Sequence, residues 1–185
     1  TGNEKRQPII TSFVEDTAGR LLVGTFGDGL NAIERNGGDA VRYSREPGNE
    51  FKISDDRVMS LMRDREGRIW VGTMTNGITR IDPATGENTT FQYEANNPTS
   101  LSANGIMTMY EDTDGNVWVG TFGGGISLFE QATRTFKRFG HDPAAPDSLS
   151  SNRVTSFLQD TSGKMWVGTD SGGLNLLDTE TGTFA

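Results

Sequence analysis

The sequence predicts an all-β protein made of β-propeller blades: four tandem 48-residue, four-stranded repeats, with the last blade incomplete. Three observations carry this. A Val-Gly-Thr triplet recurs without a gap at 23–25, 71–73, 119–121 and 167–169. A turn precedes each triplet, opened by Asp16, Asp64, Asp112 or Asp160 and closed by Gly19, Gly67, Gly115 or Gly163. The strand that carries the triplet is apolar on both faces, so both must be covered. Short strands repeated at roughly 40–50 residues, with two faces to hide, describe sheets packed around an axis.

Each unit reads as four strands. Strand A is β-prone and apolar: Ile10–Glu15, Val58–Arg63, Ile106–Glu111 and Val154–Gln159. The Asp-x-x-Gly loop closes a hairpin, because Asp bonds its own turn and Gly accepts positive φ. Strand B follows at Leu21–Thr25, Ile69–Thr73, Val117–Thr121 and Met165–Thr169. Its alternation puts Leu22, Trp70, Trp118 and Trp166 on one face and Val23, Val71, Val119 and Val167 on the other. The first four are assigned to blade packing, since a large ring fills the gap between blades that splay outward.

A glycine-rich loop leads to strand C: Leu30–Glu34, Ile78–Asp82, Ile126–Glu130 and Leu174–Asp178. The C–D turn aligns Gly38, Gly86 and Gly182 with Arg134. Strand D is the most polar, marked by Tyr43, Phe91 and Phe139. The D–A connection carries Pro47, Pro98, Pro143 and Pro146, then an inward-looking Ile53, Leu101 or Leu149, then Asp56, Asn104 or Asn152. The units divide as 1–48, 49–96, 97–144 and 145–185.

Composition narrows the function. Seventeen Lys and Arg against 25 Asp and Glu give a net charge of -8, which argues against a nucleic-acid backbone as partner. There is no cysteine, so disulfide and thiol chemistry are excluded, and the compartment is left open. No apolar run reaches the roughly 18 residues of a membrane helix, and no signal peptide begins at Thr1. No membrane contact is expected of this segment.

The candidate chemical motifs resolve into turns. Asp112-Thr113-Asp114-Gly115 looks like the opening of a calcium loop, but Gly123 stands where the twelfth-position glutamate belongs. Gly123-Gly124-Gly125 precedes a strand, whereas a phosphate cradle needs a helix N-terminus. His141 is the only histidine and has no local partner for a metal or a triad. No catalytic residue, metal or cofactor is therefore assigned.

The pattern from Val58 to Ile78, Val-x-x-Leu-x-x-Asp-x-x-Gly-x-Ile-Trp-Val-Gly-Thr-x-x-x-Gly-Ile, resembles the two-component regulator propeller repeat. The third and fourth units match it through Val117–Ile126 and Met165–Leu174. The first unit departs at Leu22 and in its lead-in Lys5-Arg6-Gln7-Pro8. The resemblance implies the extracytoplasmic, periplasmic sensing region of a bacterial signalling protein. Hybrid histidine kinases are the commonest carriers and diguanylate cyclases are others. It also implies rings that are typically seven-bladed, several of them responsive to oligosaccharides.

By strand counting, the B–C and D–A connections share one end of each blade. Positions that differ between units there are free to set specificity. In the B–C loop these are Phe26, Asp28, Met74, Asn76, Phe122, Asp170 and Ser171; before strand A they are Asp55, Arg57 and Arg153. Aromatics stack on sugar faces, and Asp, Asn and Arg bond hydroxyls, so a small carbohydrate ligand is the expectation. Ordinary variable loop residues would give the same pattern.

The chain starts in a D–A connection and ends where a fourth strand D begins. Two readings follow: a segment of a larger ring, or self-association in which two copies give 2 × 4 = 8 blades. A non-catalytic sensor module is the leading functional reading. The competitors are a protein-interaction scaffold and an enzyme of the propeller lyase or hydrolase type.

Overall fold

The computed structural model describes residues 8–38, 40–46, 52–179 and 181–185. Pro47 and the lead-in residues before Pro8 lie outside them. Among the described residues there is no helix. Strands β1 (Ile10–Glu15), β2 (Leu21–Thr25), β3 (Leu30–Ile33) and β4 (Val41–Tyr43) form the first sheet, in chain order and antiparallel. The second sheet holds β5 (Val58–Arg63), β6 (Ile69–Thr73), β7 (Ile78–Ile81) and β8 (Asn88–Phe91). The third holds β9 (Ile106–Glu111), β10 (Val117–Thr121), β11 (Ile126–Glu130) and β12 (Thr135–Phe139). The fourth holds β13 (Val154–Gln159), β14 (Met165–Thr169) and β15 (Gly173–Leu177). The protein is a run of propeller blades with a partial last blade.

The A and B strands fall where the sequence places them. Three C strands do not. They end at Ile33, Ile81 and Leu177, one residue short of the sequence reading, and the last begins one residue early at Gly173. In the second and fourth blades the reason is capping: Asp82 turns its carboxylate to the N–H groups of Ala84 and Thr85, and Asp178 to that of Thr181. A second correction concerns the C–D turn. Arg134, Gly86 and Gly182 adopt positive φ, but in the first blade the left-handed residue is Gly37, not Gly38. That turn closes from Gly37 N–H to Glu34 C=O, one residue tighter than the Gly86–Asp82 closure. The fourth strand D has begun: Leu177 bridges Phe184, and Leu176 and Ala185 exchange hydrogen bonds of 2.8 and 3.0 Å.

Packing between blades follows one rule. The Trp face of each blade meets the Val face of the next. Trp70, at 0% exposure, packs among Ile106, Met109, Val117, Val119 and Phe129 of the third blade. Trp118 packs in the same way against Val154, Met165 and Val167 of the fourth. Leu22 does so against Val58, Ile69 and Val71 of the second. Ile53, Leu101 and Leu149 are buried, so the D–A connections plug these joints from one end.

The glycine of Val-Gly-Thr permits the close approach. A Cβ on Gly72 would sit 2.6 Å from Ile106 Cγ2, and one on Gly24 equally close to Val58 Cγ1. Each A strand also carries a bulge at its start, opposite the Gly-Thr pair.

The joint ends differ. Phe13, Leu21 and Ile33 on the Val face of the first blade are exposed, and so are Leu158 and Leu174 on the Trp face of the fourth. Trp166 lies on that open face, half-buried.

Candidate functional site

The B–C loop is built by the triplet threonine. Its hydroxyl donates to the carbonyl of the glycine four residues on: Thr25 to Gly29, Thr73 to Gly77, Thr121 to Gly125 and Thr169 to Gly173. The same oxygen accepts an N–H from Asp28, Asn76 or Gly124. This loop is then stitched to the next blade. Gly29 donates to Asp56 C=O, Gly77 to Asn104 and Gly125 to Asn152. The residue after the threonine bonds the lead-in to its own strand A: Phe26 to Ile9, Met74 to Arg57, Phe122 to Gly105 and Asp170 to Arg153. The B–C loops and the ends of the D–A connections therefore share one end of the stack.

Along that end runs a strip of side chains. Phe26 pairs in an isolated bridge with Arg57, and Phe122 with Arg153. The Arg153 guanidinium lies over the Phe122 ring, 4.2 Å from its centroid, and reaches Asp170 at 3.0 Å. Arg57 is held differently. Asp55, 2% exposed, takes its Nη2 at 3.0 Å and also accepts the Thr75 hydroxyl at 2.6 Å. Burial pushes the Asp55 carboxyl up, but the bonds from Arg57 and Thr75 outweigh this and hold it below its usual range. Asp55 thus positions Arg57 rather than facing solvent.

Between the two arginines stands Gly105, where the other lead-ins carry a side chain. A Cβ there would meet Met74 C=O at 3.0 Å and Phe122 Cβ at 3.2 Å. The strip reads Phe26, Arg57, Met74, Gly105, Phe122, Arg153, Asp170. Phe26, Met74 and Phe122 are exposed. The remaining sequence candidates flank it. Asp28 ion-pairs with Arg42 at 3.2 Å, Asn76 donates to Ser54 C=O at 2.9 Å, and Ser171 is exposed. The pairing of each aromatic with the arginine of the next blade was not visible in the sequence. The positions stand 31 residues apart (57 − 26 and 153 − 122), and only the stagger between blades brings them together.

The other motifs do structural work. Asp112 Oδ1 accepts the N–H groups of Asp114 and Asn116, and its Oδ2 accepts the Trp118 indole N–H at 2.8 Å. Trp70 and Trp166 bond Asp64 and Asp160 in the same way, at 2.8 and 2.9 Å. The repeated aspartate therefore serves the turn and the indole together, a pairing hidden in the six-residue Asp-to-Trp spacing. His141 lies in the exposed D–A connection, its Nδ1 2.7 Å from Leu149 C=O. No group of three or more metal-ligating side chains forms among the described residues.

The model of the two-component regulator propeller family matches residues 52–75, 100–123 and 148–171. Each match runs from the end of a D–A connection into a B–C loop. One match falls in each of the second, third and fourth units. No curated protein matches the chain in sequence. Among solved structures, the chain is similar to the extracellular domain of a hybrid two-component system from B. thetaiotaomicron. There the TM-score is 0.81 at 20% identity, covering 96% of this chain and 24% of that one. The extracellular domain of a one-component system from the same organism gives 0.79 at 21% identity, covering 99% and 25%. A virginiamycin B lyase from Staphylococcus aureus gives 0.66 at 14% identity, covering 95% and 54%. At these identities the likeness is one of fold. The chain spans about a quarter of the length of the two extracellular domains. No helix among the described residues is long and apolar enough to cross a membrane.

Proposed function

We propose that this chain is a non-catalytic, ligand-sensing propeller segment from the periplasmic part of a bacterial two-component signalling protein, and that its ligand is a small carbohydrate. The observation that carries the reading is the strip at the B–C end. It offers exposed Phe26 and Phe122 rings for stacking, with the Arg57 and Arg153 guanidinium groups beside them as N–H donors to sugar hydroxyls. Gly105 lets Met74 and Phe122 draw close together between the two couples. The repeat family and the extracellular domains of similar fold support the setting. The side chains on the strip are engaged in pairing and stacking, an arrangement suited to recognition rather than bond cleavage.

A glycan array followed by calorimetry tests this. An oligosaccharide that binds wild type should lose about tenfold or more in affinity with Phe122→Ala, since a stacked ring contributes about 0.5–1.5 kcal/mol beyond its buried area. Absence of any glycan binder, or turnover of a bound polysaccharide, would overturn it. A second reading, self-association, is favoured by the exposed Phe13, Leu158 and Leu174. They lie on the two faces that mate at every internal joint.

A further inference from the structure

The opposite end of the stack holds a different feature. Between the first and second blades lies a cavity of about 380 Å³, lined by Asp16, Arg20, Leu22, Tyr43, Ile69 and Ile81 and walled by the 82–88 turn. That volume falls within the roughly 300–1,000 Å³ of small-molecule sites. It exists because the first unit breaks the rule of the others. Leu22 stands where they have an indole, and Ile81 stands opposite it where the next joint has Phe129.

The surroundings of the missing indole are nevertheless in place. In the second blade Asp64 Oδ2 takes two donors at once, Arg68 Nε at 2.7 Å and Trp70 Nε1 at 2.8 Å. In the first blade Asp16 Oδ2 takes Arg20 Nε at the same 2.7 Å and, among the described residues, no second donor. Asp16 is only 3% exposed and lines the cavity. Trp70 stacks on Phe91 at 5.9 Å and 11°, and Trp118 on Phe139 at 5.9 Å and 29°. The residue at that place in the first blade is Tyr43, on the cavity wall.

We propose that this cleft binds a planar aromatic heterocycle with a ring N–H, of the indole class, which stacks on Tyr43 and donates its N–H to Asp16 Oδ2. The ligand takes the place that a tryptophan fills in the other three blades. The site is separate from the strip at the B–C end and does not depend on a carbohydrate being sensed there.

Titration of the protein with indole, followed by ligand-observed NMR and calorimetry, tests the proposal. Expected is saturable binding with a dissociation constant on the order of 0.1–1 mM, as suits so small a ligand. Benzofuran has the same shape without the N–H and should bind about tenfold more weakly, because the buried carboxylate is left without its second donor. Leu22→Trp fills the cleft from within. It should abolish indole binding while raising the melting temperature. Ile81→Phe provides a second block should Leu22→Trp fail to fold. No saturable binding to wild type, equal affinity for benzofuran, or undiminished indole binding by a folded blocking variant would each overturn the assignment.

Discussion

Trp118 is 2% exposed, packs on Val154, Met165 and Val167 of the next blade and bonds Asp112, so one side chain ties its own turn to the neighbouring blade. Trp118→Ala should cost about 3–5 kcal/mol in a chemical melt, from the cavity and the abandoned carboxylate together. The turn aspartates make a second prediction. Burial pushes the Asp16 carboxyl up, but hydrogen bonds from the Arg20 backbone and side chain prevail and hold it below its usual value. Asp160 is lowered too, chiefly by bonds from Ser162 and Trp166. A depressed folded-state value gives stability that is complete above the unfolded value of about 3.9 and lost as the pH falls through the folded one. The stability difference between wild type and Asp16→Asn should therefore be largest near neutral pH and shrink below about pH 4, as read from melts across that range. At this scale the sequence named the indoles and the aspartates but not their bond. Periodicity reports which face a side chain takes, and says nothing of which acceptor it meets.

Within a blade, the strands and their joints impose different demands on glycine. Gly72→Ala would press a methyl group into Ile106 of the next blade and should cost about 1–3 kcal/mol by denaturant titration. Arg134 makes the reverse case. It sits at φ 57 where the second and fourth blades have glycine, so Arg134→Gly should stabilise by about 0.5–1 kcal/mol. The A and B strands were legible to the residue because alternation, turn chemistry and repeat agree there. Strand C was not, because its terminal aspartates read equally as strand or cap. Gly37 and Gly38 adjoin, and only the tightness of the turn chooses between them.

Across the whole molecule, the joints are contacts between nearest neighbours, and the end faces are the two halves of such a joint. A second copy meeting these faces would repeat an interface already present inside the chain. Light scattering should detect association in wild type, and Phe13→Glu or Leu158→Glu should abolish it without lowering the melting temperature. Monodisperse monomer at all concentrations would count against it. The blade architecture was readable from one sequence because repetition multiplies a weak signal fourfold. The candidate site was readable only as a set of variable positions. Its couplings, Phe26 with Arg57 and Phe122 with Arg153, arise between blades and leave no periodic trace.

Four near-identical ribbons in one polypeptide invite mispairing, since β1 could align with β6 almost as well as with β2. Chain connectivity supplies the discrimination. The native hairpin closes the five residues 16–20, whereas the wrong partner would close the 53 residues 16–68. The logarithmic cost of ring closure favours the native choice by about 2 kcal/mol. Tight turns at fixed intervals thus act as a proofreading device: each ribbon is completed from its own stretch of chain before it can be confused with its twin.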